Sequence, residues 1–236
     1  MNVPGTGRTN NAIPSRMTIV DTLIPPLQSA PSRIRPVPAF AWTRVDFAGG
    51  DHTPSMDEEL AWETLDAETA YACPGFDVVR EDVRFPDGTE GAFDYVQHGE
   101  SVIVLPFTAD GDVVVIEEWR QPIRRINYGL PAGTMEDEDD DPTVAAAREL
   151  REETGYEADT FDHLYTGEPA NGNTDYVFHY YVARGCEAAA DQNLDHNESI
   201  RVDTADFDSL VQSVRDGTLR DSRSAVGIMY YALFER

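Results

Sequence analysis

The chain has 236 residues, 41% of them hydrophobic, with 44 acidic residues against 18 basic and a formal net charge of −26. One ordinary core plus a small appendage fits that length, and no apolar run approaches the roughly 20 residues of a membrane-spanning helix. The charge excludes a binder of nucleic-acid backbone, which needs a basic patch to displace counterions. Cys73 and Cys186 are too few for a disulfide framework and match no zinc spacing, so the expectation is two reduced thiols in a cytoplasmic protein.

Residues 1–55 differ in composition from the rest. They hold five Arg and three Asp, a net of +2, so residues 56–236 carry −28; eight of the fifteen prolines also fall here. With no sustained periodicity, the segment reads as a disordered or loosely packed extension, and Met56, where the acidity begins, as the natural start. A signal peptide is the rival reading, but no apolar h-region follows the arginines.

Residues 56–98 read as a small β unit. Val78 to Phe85, the turn Pro86-Asp87-Gly88, and Ala92 to Gln97 form a hairpin within it. Residues 99–236 make the main domain. Ser101 to Phe107 and Val113 to Trp119 form a second hairpin around Asp110-Gly111-Asp112, and their near-continuous Val and Ile mark central strands.

Asp141 followed by Pro142 reads as an N-cap and first helical residue, with Gly155 as the stop. On the helix between them Glu149, Glu152 and Glu153 share one face, while Val144, Ala147 and Leu150 point roughly the other way toward a core. Three carboxylates on one face repel one another unless a cation sits among them, and hard oxygen ligands suit Mg²⁺ or Mn²⁺. Arg148, one turn before Glu152, can hold it by an ion pair. The plain alternative is a solvated Glu- and Arg-rich face. The acidic run Glu136 to Asp141 lacks calcium-loop spacing and reads as solvated surface.

Strands follow at Phe161 to Tyr165 and Tyr176 to Val182, with the loop Pro169 to Asn173 between them and a short strand at Ile200 to Val202. Phe207, Leu210, Val211 and Val214 recur at helical spacing before Gly217, and a last helix runs from Ser222 to Phe234. Strands mixed with a few helices give an α/β fold with a mixed sheet.

Gly133, Arg148, Glu149, Leu150, Glu152, Glu153 and Gly155 match a known pattern, the Nudix box G-x5-E-x7-R-E-U-x-E-E-x-G-U, in which U is apolar. Three departures stand out: the loop after Gly133 is one residue longer, Asp140 replaces the loop Glu, and Tyr156 takes the last apolar position. The resemblance implies a Nudix α/β/α sandwich with a mixed β-sheet. It also implies a Mg²⁺ or Mn²⁺ cofactor held by Glu149, Glu153 and the Ala132 carbonyl of the Leu130-to-Gly133 turn. Glu152 would be a further ligand, fixed by Arg148, and both would belong to the catalytic set.

Outside the box the chain is similar to ADP-ribose pyrophosphatases. Glu118-Trp119-Arg120 matches a strand end whose Arg meets a substrate phosphate, which makes Arg120 the first phosphate-binding candidate, ahead of Arg124 and Arg125. An ion pair with Glu117 or Glu118 is the plain reading of any of them. That subfamily places a Pro fifteen residues after the box; here Asn171 stands there, with Pro169 two positions early. Its late loop supplies a carboxylate, matched by Glu198, with His196 as an alternative base. The small β unit resembles one that pairs two subunits, implying a homodimer. The implied reaction is hydrolysis of a nucleoside diphosphate derivative, ADP-ribose to AMP and ribose 5-phosphate. NADH, a dinucleoside polyphosphate or another ADP-sugar are the alternatives. A non-catalytic metabolite sensor would commonly lose a box carboxylate, and this chain retains all three. His52, His98, His163 and His179 suggest no constellation.

All 18 basic residues are Arg. An Asp-rich, Lys-free chain resembles proteins of halophilic archaea, whose surfaces stay hydrated and apart at molar salt; the Debye length there is about 3 Å, so self-repulsion is largely screened.

Overall fold

In the computed structural model residues 59–236 are described, so the expectations for residues 1–55 and for Met56 lie outside the described residues. The first strands form a three-stranded antiparallel sheet of β1 (Glu63–Cys73), β2 (Phe76–Arg84) and β3 (Glu90–Gln97). The β2–β3 hairpin is the one expected; β1 is an addition. Its sequence, ETLDAETAYAC, has no apolar alternation, and it stays exposed along nearly its whole length. Main-chain pairing to β2 holds it, with Arg84 bridging Glu63 on one side and Glu90 on the other, 2.9 Å away. Trp62 packs edge-on against Phe85 and Phe93, with centroids 4.6 and 5.5 Å apart.

The larger sheet has eight strands and contains β4 (Ser101–Thr108), β5 (Val113–Arg120), β6 (Arg125–Gly129), β7 (Ala132–Thr134), β8 (Tyr156–Glu157), β9 (Thr160–Gly167), β10 (Phe178–Ala188) and β11 (Ile200–Ala205). The central order is β11-β5-β4-β10-β8, and β10 runs parallel to β4 while its other partners are antiparallel, which makes the sheet mixed. Alternation along the strands sorts side chains to two cores. Ile103, Leu105, Val113, Val115, Tyr180 and Val182 face one side, where α2 (Phe207–Arg215) and α3 (Ser222–Phe234) cover them. Val102, Val104, Val114, Tyr181 and Ala183 face the other, under α1 (Pro142–Thr154). The result is the expected α/β/α sandwich. No helix among the described residues is long and apolar enough to cross a membrane.

The second hairpin departs from expectation. β4 and β5 pair only at Phe107↔Val113 and then splay. β6 lines up along β5 and β7 along β4, and the Val104 amide donates to the Pro131 carbonyl at 3.0 Å. The turn Leu130 to Gly133 thereby enters the middle of the sheet. Both central strands are buried on both faces, so their apolar runs could not reveal which neighbour each would choose.

The division of α1 into an acidic face and an opposed face of Val144, Ala147 and Leu150 is also corrected. Val144 and Ala147 are exposed, whereas Ala145, Ala146 and Leu150 have no exposure, and Glu149 and Glu153 lie on that buried face. The two small Ala side chains let the helix backbone approach the sheet closely, which turns the carboxylates inward.

Candidate active site

Helix α1 is fixed at both ends. The Asp141 side chain accepts from the amides of Thr143 at 2.7 Å and Val144 at 3.3 Å, and Pro142 occupies the first helical position. At the far end Gly155 takes the left-handed conformation, φ +75°, and its amide donates to the Arg151 carbonyl at 2.8 Å. Between these stops, the packing of Ala145, Ala146 and Leu150 brings Glu149 and Glu153 against the inserted turn.

Contact with that turn is direct. The Ala132 amide donates to Glu153 Oε2 at 2.9 Å, and Glu153 is only 2% exposed. At Gly133 a Cβ would overlap the Glu149 carboxylate, so a side chain here would push that carboxylate aside. Arg148 binds Glu149 at 2.8 Å, Glu152 at 3.0 Å and the Thr134 carbonyl at 3.0 Å. It also binds Asp139 through two nitrogens, at 2.8 and 3.3 Å. The loop acid that reaches the arginine is therefore Asp139, not the Asp140 obtained by counting back from the helix; the extra loop residue falls after the acid.

Two further carboxylates complete the cluster. Glu118, at the end of β5, is buried and pairs with Arg120 at 2.6 Å. Glu198, on the loop before β11, accepts from the Asp195 amide at 2.9 Å and adds its charge to the surroundings of Glu118, Glu149 and Glu153. Burial is the first cause raising all three of those groups above the ordinary carboxylate range, with like charges adding to it. Glu149 is pushed up to about 7, opposed mainly by Arg148, and Glu153 goes well up despite the Ala132 hydrogen bond. Glu118 is raised against the pull of Arg120 and Arg223. Burying carboxylates is costly without compensating charge, and the neighbouring Arg148 and Arg120 are fewer than the acids they face. That surplus of buried hard oxygen donors in Glu118, Glu149 and Glu153, pressed against a glycine turn, is of the kind a divalent cation would offset. Among the described residues no three acidic, His or Cys side chains already converge as a closed metal-binding group, so the fit rests on burial and charge.

The other predicted residues divide. Glu152 lies at the edge of the cluster through Arg148, and Arg120 is drawn in by Glu118. Arg124, at φ +50°, stands exposed on the turn after β5, Arg125 is exposed at the start of β6, and His196 is exposed on the Glu198 loop. Glu118 was expected only as an arginine's ion-pair partner; its signal was a carboxylate inside an otherwise apolar central strand. A histidine constellation was also missed. His179 meets Glu100 at 2.6 Å through Nε2 and the Thr166 hydroxyl at 3.1 Å through Nδ1, and His163 meets the same hydroxyl at 2.8 Å. Only the β9–β10 register, with His179 opposite Thr166, brings these groups together.

The NUDIX domain model matches residues 97–221. A methanol dehydrogenase activator of Bacillus methanolicus is 32% identical over 158 residues, covering 66% of this chain and 84% of that protein. An ADP-ribose pyrophosphatase of Bacillus subtilis (strain 168) is 27% identical over 179 residues, covering 75% and 96% of the two chains. Among solved structures, an ADP compounds hydrolase superposes with a TM-score of 0.64 at 20% identity, over 72% of this chain and 92% of its own.

Proposed function

This chain belongs to the NUDIX domain family and is a pyrophosphohydrolase, and we propose that it is a Mg²⁺-dependent enzyme whose preferred substrate is ADP-ribose, cleaved to AMP and ribose 5-phosphate. The observation that carries the reading is the burial of Glu149 and Glu153 side by side against the Ala132-Gly133 turn, within electrostatic reach of Glu118 and Glu198. The likeness to an ADP-ribose pyrophosphatase supports the choice of substrate.

Glu149, Glu153, Glu152 and the Ala132 carbonyl would hold the cation, with Mn²⁺ an acceptable substitute. When bound, the ion supplies neutralisation of the nonbridging diphosphate oxygens and acidifies water. The chain's own residues do the rest. Arg148 fixes Glu149 and Glu152, and is itself fixed by Asp139. Arg120 meets a phosphate oxygen while Glu118 holds its guanidinium. Glu198, at the open edge, takes the proton as water oxygen bonds to phosphorus and the P–O–P bridge breaks, the bridging oxygen leaving with one phosphate.

Residues 59–98 act as the subunit-pairing unit of a homodimer. Leu60, Trp62, Leu65, Tyr71 and Phe76 leave an apolar surface exposed there, which a second copy would cover.

A substrate panel of ADP-ribose, other ADP-sugars, NADH and dinucleoside polyphosphates, assayed with Mg²⁺ at molar KCl, tests the reading. ADP-ribose should give the highest kcat/KM. No phosphomonoester from any member of the panel would refute it.

A further inference from the structure

β9 and β10 carry a polar cluster that the hydrolytic chemistry does not use. His179 on β10 has both ring nitrogens engaged, Nε2 with Glu100 Oε2 at 2.6 Å and Nδ1 with the Thr166 hydroxyl at 3.1 Å. His163 on β9 meets the same hydroxyl through Nε2 at 2.8 Å. The strand register sets this up, placing His179 opposite Thr166 and Tyr181 opposite His163, whose ring stands edge-on to Tyr181 with centroids 5.6 Å apart. The Tyr181 hydroxyl accepts from the Thr143 hydroxyl at 3.4 Å, so the cluster lies on the α1 side of the sheet.

The tautomers follow from the carboxylate end. An ionised carboxylate only accepts, so neutral His179 carries its proton on Nε2 and turns a bare Nδ1 lone pair toward Thr166. The hydroxyl has one proton and can donate to only one of the two imidazoles that meet it. Two ring nitrogens on neighbouring strands therefore aim at one point. That point is open to solvent, because His163 and Thr166 are exposed while His179 is mostly buried. Holding β9 to β10 does not require such a cluster, since the two strands already pair along their length.

We propose that His163 and His179 bind a divalent transition-metal ion of the Zn²⁺ type, with the Thr166 hydroxyl and water completing its shell. The site is separate from the box carboxylates and does not rest on the hydrolase reading. Donor chemistry is the first reason. Neutral imidazole suits zinc and its neighbours in the series, whereas Mg²⁺ takes oxygen, so the two kinds of ion are sorted between two sites. Orientation is the second. A metal-bound histidine usually donates its other N–H to a carboxylate, which fixes the ring and raises its basicity, and Glu100 stands in that place. Access is the third, since the exposed rim admits an ion and a net charge of −26 draws cations toward the surface. For both nitrogens to ligate, His163 moves its proton from Nε2 to Nδ1, a change of tautomer without a change of charge. Among the described residues no three His, Cys or acidic side chains converge on one point, so Glu100 acts on the ion through His179 and not as a ligand.

The test is calorimetric titration with Zn²⁺ in the Glu149→Gln/Glu153→Gln background and with excess Mg²⁺, so that the acidic helix does not compete. One ion should bind per chain. His163→Gln and His179→Gln should each weaken binding by about tenfold or more, and Glu100→Gln by about 10- to 100-fold, the usual cost of losing the carboxylate behind a ligating histidine. His98→Gln should leave it unchanged. Nuclear magnetic resonance reads the same site in wild type with Mg²⁺ present. Zn²⁺ should shift the imidazole signals of His163 and His179 and leave those of His98 and His196 in place. Three results overturn the assignment: no binding, uptake without fixed stoichiometry over the acidic surface, or binding that survives any one of the His163, His179 and Glu100 substitutions unaltered.

Discussion

The Ala132 amide donates to the Glu153 carboxylate at 2.9 Å, joining a turn inserted between splayed strands to a helical residue 21 positions later in the chain. Replacing Glu153 with Gln keeps an acceptor for the amide and removes the charge. Turnover of ADP-ribose should fall by at least about 10²-fold while nucleotide binding persists. Loss of binding together with turnover, or turnover that survives, would place Glu153 outside the chemistry.

Arg148 and Asp139 act as a unit. Asp139→Ala frees the arginine that restrains Glu149 and Glu152, so kcat should drop while the same change at Asp140 has no effect. Comparing the two variants in one assay distinguishes the structural alignment of the loop from the one counted back from the helix.

Gly133 has no room for a side chain against Glu149. Gly133→Ala must push the carboxylate or the turn aside, and should weaken divalent-cation affinity by tenfold or more. Calorimetry with Mg²⁺ reads this directly, without substrate.

Metal-free stability should depend on pH in an unusual direction. Glu149 is raised in the fold from an ordinary 4.5 to about 7, so the folded state binds the proton more tightly than the unfolded chain. Its contribution is fully present below about 4.5 and is lost as pH rises through 7, a change of about 3 kcal/mol. Asp139 and Asp221 are lowered and remain ionised throughout that window, so they do not offset it. The Tm in EDTA should therefore fall between pH 5 and 8, and Glu149→Gln should flatten the slope. A wild-type Tm that rises over the same interval would contradict the burial of these acids.

The surface charge makes a separate prediction. With a net charge of −26 and no Lys, self-repulsion should loosen the fold at low ionic strength. Tm should rise steadily from low to molar KCl; equal midpoints would remove the case for salt adaptation.

Which parts of this were legible in the sequence follows from how local each signal is. The caps of α1 and the bounds of α3 were readable because Asp141, Pro142, Gly155 and the Ser222-to-Phe234 run act through their own backbone. The box carboxylates were readable because their spacing is helical. Their burial was not, since it depends on Ala145 and Ala146 meeting a sheet assembled from distant strands. The approach of the Leu130 turn to Ser224 was not legible either, since it joins positions 94 residues apart. β1 escaped because main-chain pairing, rather than an apolar stripe, holds it.

The central claim is that Glu149 and Glu153 hold a divalent ion beside the Ala132-Gly133 turn. The most direct measurement is titration of Mn²⁺ into wild type and the Glu149→Gln/Glu153→Gln variant at molar KCl, following free Mn²⁺ by its paramagnetic resonance signal. Wild type should take up the ion with ADP-ribose hydrolysis rising in parallel, and the double variant should leave it free in solution. Equal uptake by the two proteins, or hydrolysis that proceeds at full rate without any ion, would contradict it.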